Sequence, residues 1–290
     1  MMIGVIFNPI SRMGASTQRM KEFLKKMDEA GLEYVYRETQ KSGDAGNIAL
    51  ELLDTCDIIM PAGGDGTVYE VVNSVWEKDV TLAILPYGSG NDVARGLYNG
   101  VPTDDQVLEL LKSNSTMKVD CGLVNDQYVL TLLGSFGFGA AMLEKYLQNG
   151  GSYARTIPGL MLRCITKKYT VKINGEVKNY DTEFISVMNA PAVGGGITVY
   201  KNSKMTDGKM ELVAINKKTR IRRLRNFIAL GLGRLETQPN IDIIPFDECT
   251  IIPETIALCN FDGELIRFEQ FHIKVYPGKL TFKAFDNKEN

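Results

Sequence analysis

One histidine, His272, is all that the 290 residues contain. That scarcity removes most Ser-His-Asp and Cys-His catalytic schemes, together with His-rich zinc sites. The five cysteines (Cys56, Cys121, Cys164, Cys249, Cys259) are odd in number and form no C-x-x-C pair. They read as reduced, mostly buried thiols of a cytosolic protein, not as a disulfide framework. Charge excess is missing too: 33 Lys and Arg stand against 35 Asp and Glu, a net charge of −2, which argues against a dedicated nucleic-acid binder. No 18-residue apolar run occurs; the nearest, 128–143, is interrupted by Gly134, Ser135, Gly137 and Gly139, so no transmembrane helix is expected. The N-terminus lacks the basic region of a signal peptide and leads straight into a strand-like segment, which fits a cytoplasmic location.

What the chain does have is length for about two domains. A 44% hydrophobic content suffices to bury a core without covalent staples. Its 28 glycines suggest tight loops that approach something closely.

The first 120 residues alternate short apolar runs with amphipathic ones. Strands are expected at 3–8, 34–37, 57–60 and 82–85; helices are expected at 18–30, 45–53 (with Asp44 as N-cap), 67–76 and around 107–111. Such alternation predicts an α/β domain with a parallel sheet, whose ligands gather beyond the carboxyl ends of the strands. After about residue 120 the texture changes. Residues 169–173 and 176–178 flank Asn174-Gly175, a type I′ hairpin signal. Short strands at 183–188, 210–215, 241–244, 250–252, 256–259, 271–276 and 280–285 predict a C-terminal antiparallel β-sandwich, with one helical insert at 219–235. The expected division is 1–122 and 123–276, with the tail 277–290 packing back onto the first domain. No repeat or low-complexity linker separates the halves.

Two loops carry the chemistry. Gly63-Gly64-Asp65-Gly66-Thr67 lies between a buried strand and a helix containing Glu70. Its glycines let backbone approach an anion, and the following helix offers amide groups and a positive dipole end. It reads either as a phosphate cradle or as a glycine turn with a capping Asp. Pro86-Tyr87-Gly88-Ser89-Gly90-Asn91-Asp92 follows the next strand; Ser89 can donate to phosphate, while Asn91 and Asp92 open a helix. Neither the Walker A pattern nor the third glycine of the dinucleotide fingerprint is present.

This pair of loops resembles the catalytic domain of diacylglycerol kinases and their soluble bacterial relatives, a superfamily that includes sphingosine and ceramide kinases. The resemblance runs on through Asn8-Pro9, Thr39 with Ser42-Gly43-Asp44-Ala45, Asp120-x-Gly122, Gly194-Gly195-Gly196, Lys204-Met205-Thr206-Asp207-Gly208-Lys209 and Asp262-Gly263-Glu264. It implies an ATP-dependent lipid kinase, with diacylglycerol as acceptor and phosphatidic acid as product. By the same resemblance Asn8, Pro9, Arg12, Thr39, Gly63, Gly64, Gly66, Thr67, Glu70, Ser89 and Asn91 would bind ATP, and the lipid would enter a cleft between the domains. Glu264 would act as base, with Asp65 assisting it or holding the hydroxyl. Asp92 and Asp120 would organise Mg²⁺, and a second, structural Mg²⁺ would use Asp207 with the carbonyls of Lys204 and Lys209. For that turn a plain Asp-Gly turn is the other reading. The chain departs from the family in its first loop, where Ile10-Ser11-Arg12-Met13 follows Asn8-Pro9 in place of an early glycine, and in lacking an asparagine at Leu130-Thr131-Leu132.

Outside these motifs, Lys217, Lys218, Arg220, Arg222, Arg223 and Arg225 put six cations in nine residues, with Ile221, Leu224, Ile228 and Leu232 on one helical face. This is either a basic amphipathic helix for an anionic membrane surface or a solvated helix packed on the sandwich by its apolar side. The expected partners are a lipid substrate at the membrane surface and, for the sandwich edges, a second copy of the chain; nucleic acid is not expected. Two alternatives to a lipid kinase stand beside it: an NAD kinase-like enzyme, and a non-catalytic lipid- or nucleotide-binding relative.

Overall fold

The computed structural model describes residues 1–11, 16–148, 166–216 and 220–286, with side chains at all of these except 220–224 and 227. The chain divides into two compact units, Met1–Val119 with Pro277–Asn290, and Asp120–Tyr276. Asp120 and Gly122 thus belong to the second unit.

The first unit is an α/β domain. Its strands are β1 (Met2–Phe7), β2 (Glu33–Glu38), β3 (Ile58–Gly63), β4 (Thr81–Leu82) and β5 (Leu85–Pro86). They run parallel in the order β2-β1-β3-β4, with β5 on β3 beyond the end of β4. The end of the chain's last strand adds to β4 at Thr281 and Phe282, again parallel. β1 and β3 are buried almost throughout, as strands covered on both faces must be. Helices α1 (Ser16–Glu29), α2 (Asp44–Leu52), α3 (Asp65–Val75), α4 (Asp92–Tyr98) and α5 (Asp104–Lys112) flank them. α1 buries Met20, Phe23 and Met27 at helical spacing against Ile3, Val5 and Phe7 of β1. Two expectations need correction. The 82–85 segment is two short strands, not one. The N-cap of α2 is Gly43 at φ 86°, and Asp44 sits inside the first turn, accepting from the amides of Gln40 and Lys41.

The second unit is an antiparallel β-sandwich. It is built from β6 (Thr116–Val124, which starts in the first unit), β7 (Tyr128–Leu130), β8 (Leu133–Gly137), α6 (Phe138–Gln148), β9 (Lys167–Ile173), β10 (Glu176–Met188), β11 (Ala192–Val193), β12 (Ile197–Thr198), β13 (Met210–Asn216), α7 (Arg220–Gly231), β14 (Ile241–Phe246), β15 (Glu248–Pro253), β16 (Ala257–Phe261), β17 (Glu264–Phe268) and β18 (Phe271–Lys283). One path runs β17-β16-β8-β10-β9-β15-β18, and β13 joins β10 to β14. Asn174 (φ 50°) and Gly175 (φ 78°) form the expected hairpin turn, both in the left-handed region that a type I′ turn demands.

Two departures from the sequence reading share one cause, strands that change partners midway, and a third comes from close packing. The expected strands 176–178 and 183–188 are one strand, β10. Its first half pairs with β9 and its second with β8 and β13, across a bulge between Thr182 and Ile185. The expected strands 271–276 and 280–285 are likewise one, β18, which passes through Pro277 and Gly278 (φ 58°). Residues 134–137, of turn character in the sequence, are the central strand β8. A Cβ at Gly134 would meet the Phe271 ring at 2.7 Å, so this glycine marks close packing.

Among the described residues no helix is long and apolar enough to cross a membrane. Cys56, Cys121, Cys249 and Cys259 are buried and outside any disulfide, and Cys164 lies outside the described residues. Burial pushes the Cys249 thiol up to about 12, which makes it a packing group and not a nucleophile.

Candidate active site

Parallel register brings four loops to one edge of the first unit's sheet. Phe7 at the end of β1 is level with Glu38 of β2 and Ala62 of β3, and Gly63 of β3 is level with Pro86 of β5. The residues that follow are therefore neighbours: Asn8-Pro9, Thr39, the Gly64–Thr67 loop, and Tyr87-Gly88-Ser89. Backbone bonds from Asn8 N to Ala62 O (3.0 Å), Thr39 N to Phe7 O (2.9 Å) and Tyr87 N to Gly63 O (2.8 Å) carry the ladder into the loops. This carboxyl edge is where open α/β sheets bind ligands.

The two glycine loops touch backbone to backbone. A Cβ on Gly88 would stand 2.2 Å from Gly64 Cα, and one on Gly64 would stand 3.2 Å from Gly88 Cα, so side chains are excluded where the loops cross. Asn91 (φ 52°) holds the second loop: its side-chain oxygen accepts from Gly88 N (2.8 Å) and its amide donates to Gly88 O (2.9 Å). Asn8 donates to Thr67 Oγ1 (3.2 Å) and accepts from Ile10 N, tying the first loop to α3. Gly64, the N-cap of α3, has no side chain to satisfy the first-turn amides, which leaves that helix end suited to an anion. Ser89 and Gly66 are exposed at the same edge, whereas Thr39 and Thr67 are buried.

Glu70 has a job that its motif position does not suggest. Its carboxylate accepts from Gly43 N (2.8 Å), Ala45 N (3.1 Å) and Ser42 Oγ (3.3 Å), so it caps α2 from α3 and fixes the turn after Thr39. Glu70 and Asn91, both expected to contact ATP, also hold the loops on either side of that edge. Arg12 lies outside the described residues.

Asp65 and Asp92 converge on Gly90. A Cβ at Gly90 would come within 2.9 Å of one Asp65 oxygen and 3.4 Å of one Asp92 oxygen. The other Asp65 oxygen accepts from Val93 N (3.1 Å) at the start of α4. Arg95 faces Asp92 at 3.7 Å and donates to Gly90 O (3.3 Å), balancing part of the charge. Two carboxylates facing a glycine suit a hard divalent cation, which takes one or two protein carboxylates and completes its shell with phosphate and water oxygens.

In the second unit, the Asp262-Gly263-Glu264 turn is held by its first residue. Asp262 (φ 48°) is buried, and its carboxylate accepts from Thr131 N (2.6 Å), Thr131 Oγ1 (2.8 Å), Leu132 N (2.9 Å) and Leu133 N (2.8 Å). Burial pushes its pKa up, and the four donors pull the other way. Glu264 follows at the exposed start of β17.

Asn189, which nothing in the sequence singled out, joins this turn to the next feature. Its amide donates to Thr131 O (2.8 Å) and to Asp120 O (2.9 Å) from a fully buried position. Thus an asparagine does serve the 130–132 segment, supplied from the end of β10. Asp120 in turn donates its N–H to Met205 O (2.7 Å) and accepts from Gly208 N (2.7 Å), which pins the 204–209 turn. Asp207 closes the same turn by accepting from Lys209 N (3.2 Å), and Lys204, Asp207 and Lys209 are exposed. Asp120 is therefore grouped with that turn. Among the described residues no three His, Cys, Asp or Glu side chains cluster as a metal site.

Of the basic segment, Lys217 and Lys218 lie outside the described residues, as do the side chains of Arg220, Arg222 and Arg223 on α7; Arg225 is exposed.

Comparison with known proteins agrees with this layout. Residues 2–124 match the diacylglycerol kinase catalytic domain, and residues 152–284 match the YegS C-terminal NAD kinase beta sandwich-like domain. A diacylglycerol kinase of Bacillus subtilis is 30% identical over 231 residues, covering 73% of each chain. A Chromohalobacter salexigens protein named "Probable lipid kinase YegS-like" is 28% identical over 285 residues, 93% of this chain and 90% of that one. In fold, the crystal structure of a diacylglycerol kinase from Bacillus anthracis superposes with a TM-score of 0.82 at 22% identity, covering 98% and 97% of the two chains. With both its domains matched in order and a relative at this identity, the chain belongs to the diacylglycerol kinase-like family of lipid kinases.

Proposed function

We propose that the protein transfers the γ-phosphoryl group of ATP to the hydroxyl of a membrane lipid, with diacylglycerol as acceptor and phosphatidic acid as product. The observation that carries the reading is the backbone crossing of Gly64 and Gly88 at the sheet's carboxyl edge, with Asp65 and Asp92 converging on Gly90 beside it. The choice of diacylglycerol leans on the Bacillus subtilis relative, which bears that name.

In this reading ATP lies along Asn8, Pro9, Thr39, Gly63, Gly64, Gly66, Thr67 and Ser89, while Glu70 and Asn91 keep the loops in shape. The donor set of Asp65 and Asp92 fits Mg²⁺, which when bound would neutralise charge on the phosphates. A structural Mg²⁺ at the 204–209 turn would use Asp207 and the carbonyls of Lys204 and Lys209. A primary alcohol holds its proton tightly at neutral pH, so a carboxylate must take that proton as the oxygen bonds to phosphorus. Glu264 is assigned that proton, and the Asp262 nest keeps its turn rigid. Asp65 would orient the hydroxyl.

The test is incubation of the protein with γ-labelled ATP and either an extract of total lipids or NAD. Label in phosphatidic acid supports the proposal. Label in another lipid moves the acceptor but keeps the chemistry, and label only in NADP overturns the reading.

A further inference from the structure

We infer that helix α7 is a docking surface for an anionic lipid bilayer, entered by Ile228 and Leu232 with Arg225 beside them; the choice of a bilayer as partner rests on the lipid-kinase reading. An amphipathic helix on a water-soluble sandwich ought to pack by its apolar side. At its C-terminal end, α7, with Leu232 just past its last residue, turns two large apolar side chains outward. Asn226 and Ala229 are 5% and 6% exposed, whereas Ile228 and Leu232, one turn apart, are 55% and 67% exposed. The sequence's alternative, an apolar face packed on the sandwich, is thereby corrected at these two positions. Among the described residues no other two large exposed hydrophobics stand four apart in the chain.

Charge selects the occupant. Between 220 and 231 the helix carries four arginines and no acidic residue, in a chain whose net charge is −2. Two exposed aliphatic side chains on an arginine-rich segment are poorly suited to a neutral protein groove. They suit the headgroup boundary of an anionic membrane, where the aliphatic groups insert and the cations meet phosphates. No helix of the described residues is long and apolar enough to span a membrane, so any contact through α7 is peripheral.

The experiment is co-sedimentation of the full chain with vesicles of phosphatidylcholine alone or mixed with phosphatidylglycerol. Turnover of a dispersed short-chain diacylglycerol is measured in parallel. Wild-type protein should favour the anionic vesicles by about tenfold or more and be released by high salt. The double variant Ile228→Ser, Leu232→Ser should lose about tenfold in vesicle affinity while short-chain turnover stays unchanged, which also shows that it is folded. Equal binding to both vesicle types, or undiminished binding by the variant, overturns the proposal. So does a wild-type dimer that the variant dissociates without change in vesicle binding, since the face would then meet a second copy. If short-chain turnover is absent in wild type, the kinase reading fails on its own, and the vesicle result still decides the docking surface.

Discussion

At Asp262 three backbone amides and a hydroxyl point at one buried carboxylate. Asparagine would set its own amide hydrogens against some of those donors. Asp262→Asn is therefore expected to cost about 3 kcal/mol, read as a lower denaturant midpoint. Thr131→Val removes one donor while keeping shape and should cost about 1 kcal/mol. Glu211 gives a pH signature. Burial raises its pKa, against the opposing pull of a hydrogen bond from Ser203, so the folded state holds the proton more tightly than the unfolded chain does. Its stabilising contribution is complete below the ordinary glutamate range and is lost as pH climbs through the raised value. Glu211→Gln should thus raise the melting temperature at neutral pH, and the gain should vanish as pH falls below that range. Residues of this kind are the least legible in sequence. The partners of Asn189 are 58 and 69 residues away, and no local pattern announces them. Glu70 was visible as part of a motif, but its work on α2 depends on a turn 27 residues earlier.

Elements were legible where local chemistry decides them. The apolar spacing of α1, the Asn174-Gly175 turn and the glycine loops after β3 and β5 each follow from a few adjacent residues. Illegible were elements whose neighbours change along their length: β10 with its bulge, and β18 through Pro277 and Gly278. Proline and glycine punctuate local structure, yet here tertiary pairing on both sides of the punctuation wins. Loop packing gives the prediction at this scale. Gly88→Ala drives a methyl into Gly64 Cα, an atom of another loop's main chain, and so must separate the two loops. A displacement of about 1 Å at the proposed phosphate cradle should lower kcat/KM by about 100-fold, with the thermal midpoint moving far less than that loss implies. Steady-state kinetics beside a thermal melt would read both.

For the whole molecule, the order of motifs carried more than any one of them. Gly63-Gly64-Asp65-Gly66-Thr67 alone leaves a capped turn open as a reading. The same loop with Ser89-Gly90-Asn91-Asp92, Asp120 and Asp262-Gly263-Glu264 leads to an α/β domain, a β-sandwich and a lipid kinase family. The scarcity of histidine also gains its meaning at this scale, because in the proposed reaction the proton then falls to a carboxylate. In the proposed reaction everything turns on Glu264 taking the acceptor's proton as the phosphoryl group leaves ATP. Its most direct test is turnover by Glu264→Gln with labelled ATP and diacylglycerol, alongside ATP affinity measured by titration. The expected result is a fall in kcat of about 100-fold or more with ATP affinity kept; turnover equal to wild type would rule Glu264 out as the base.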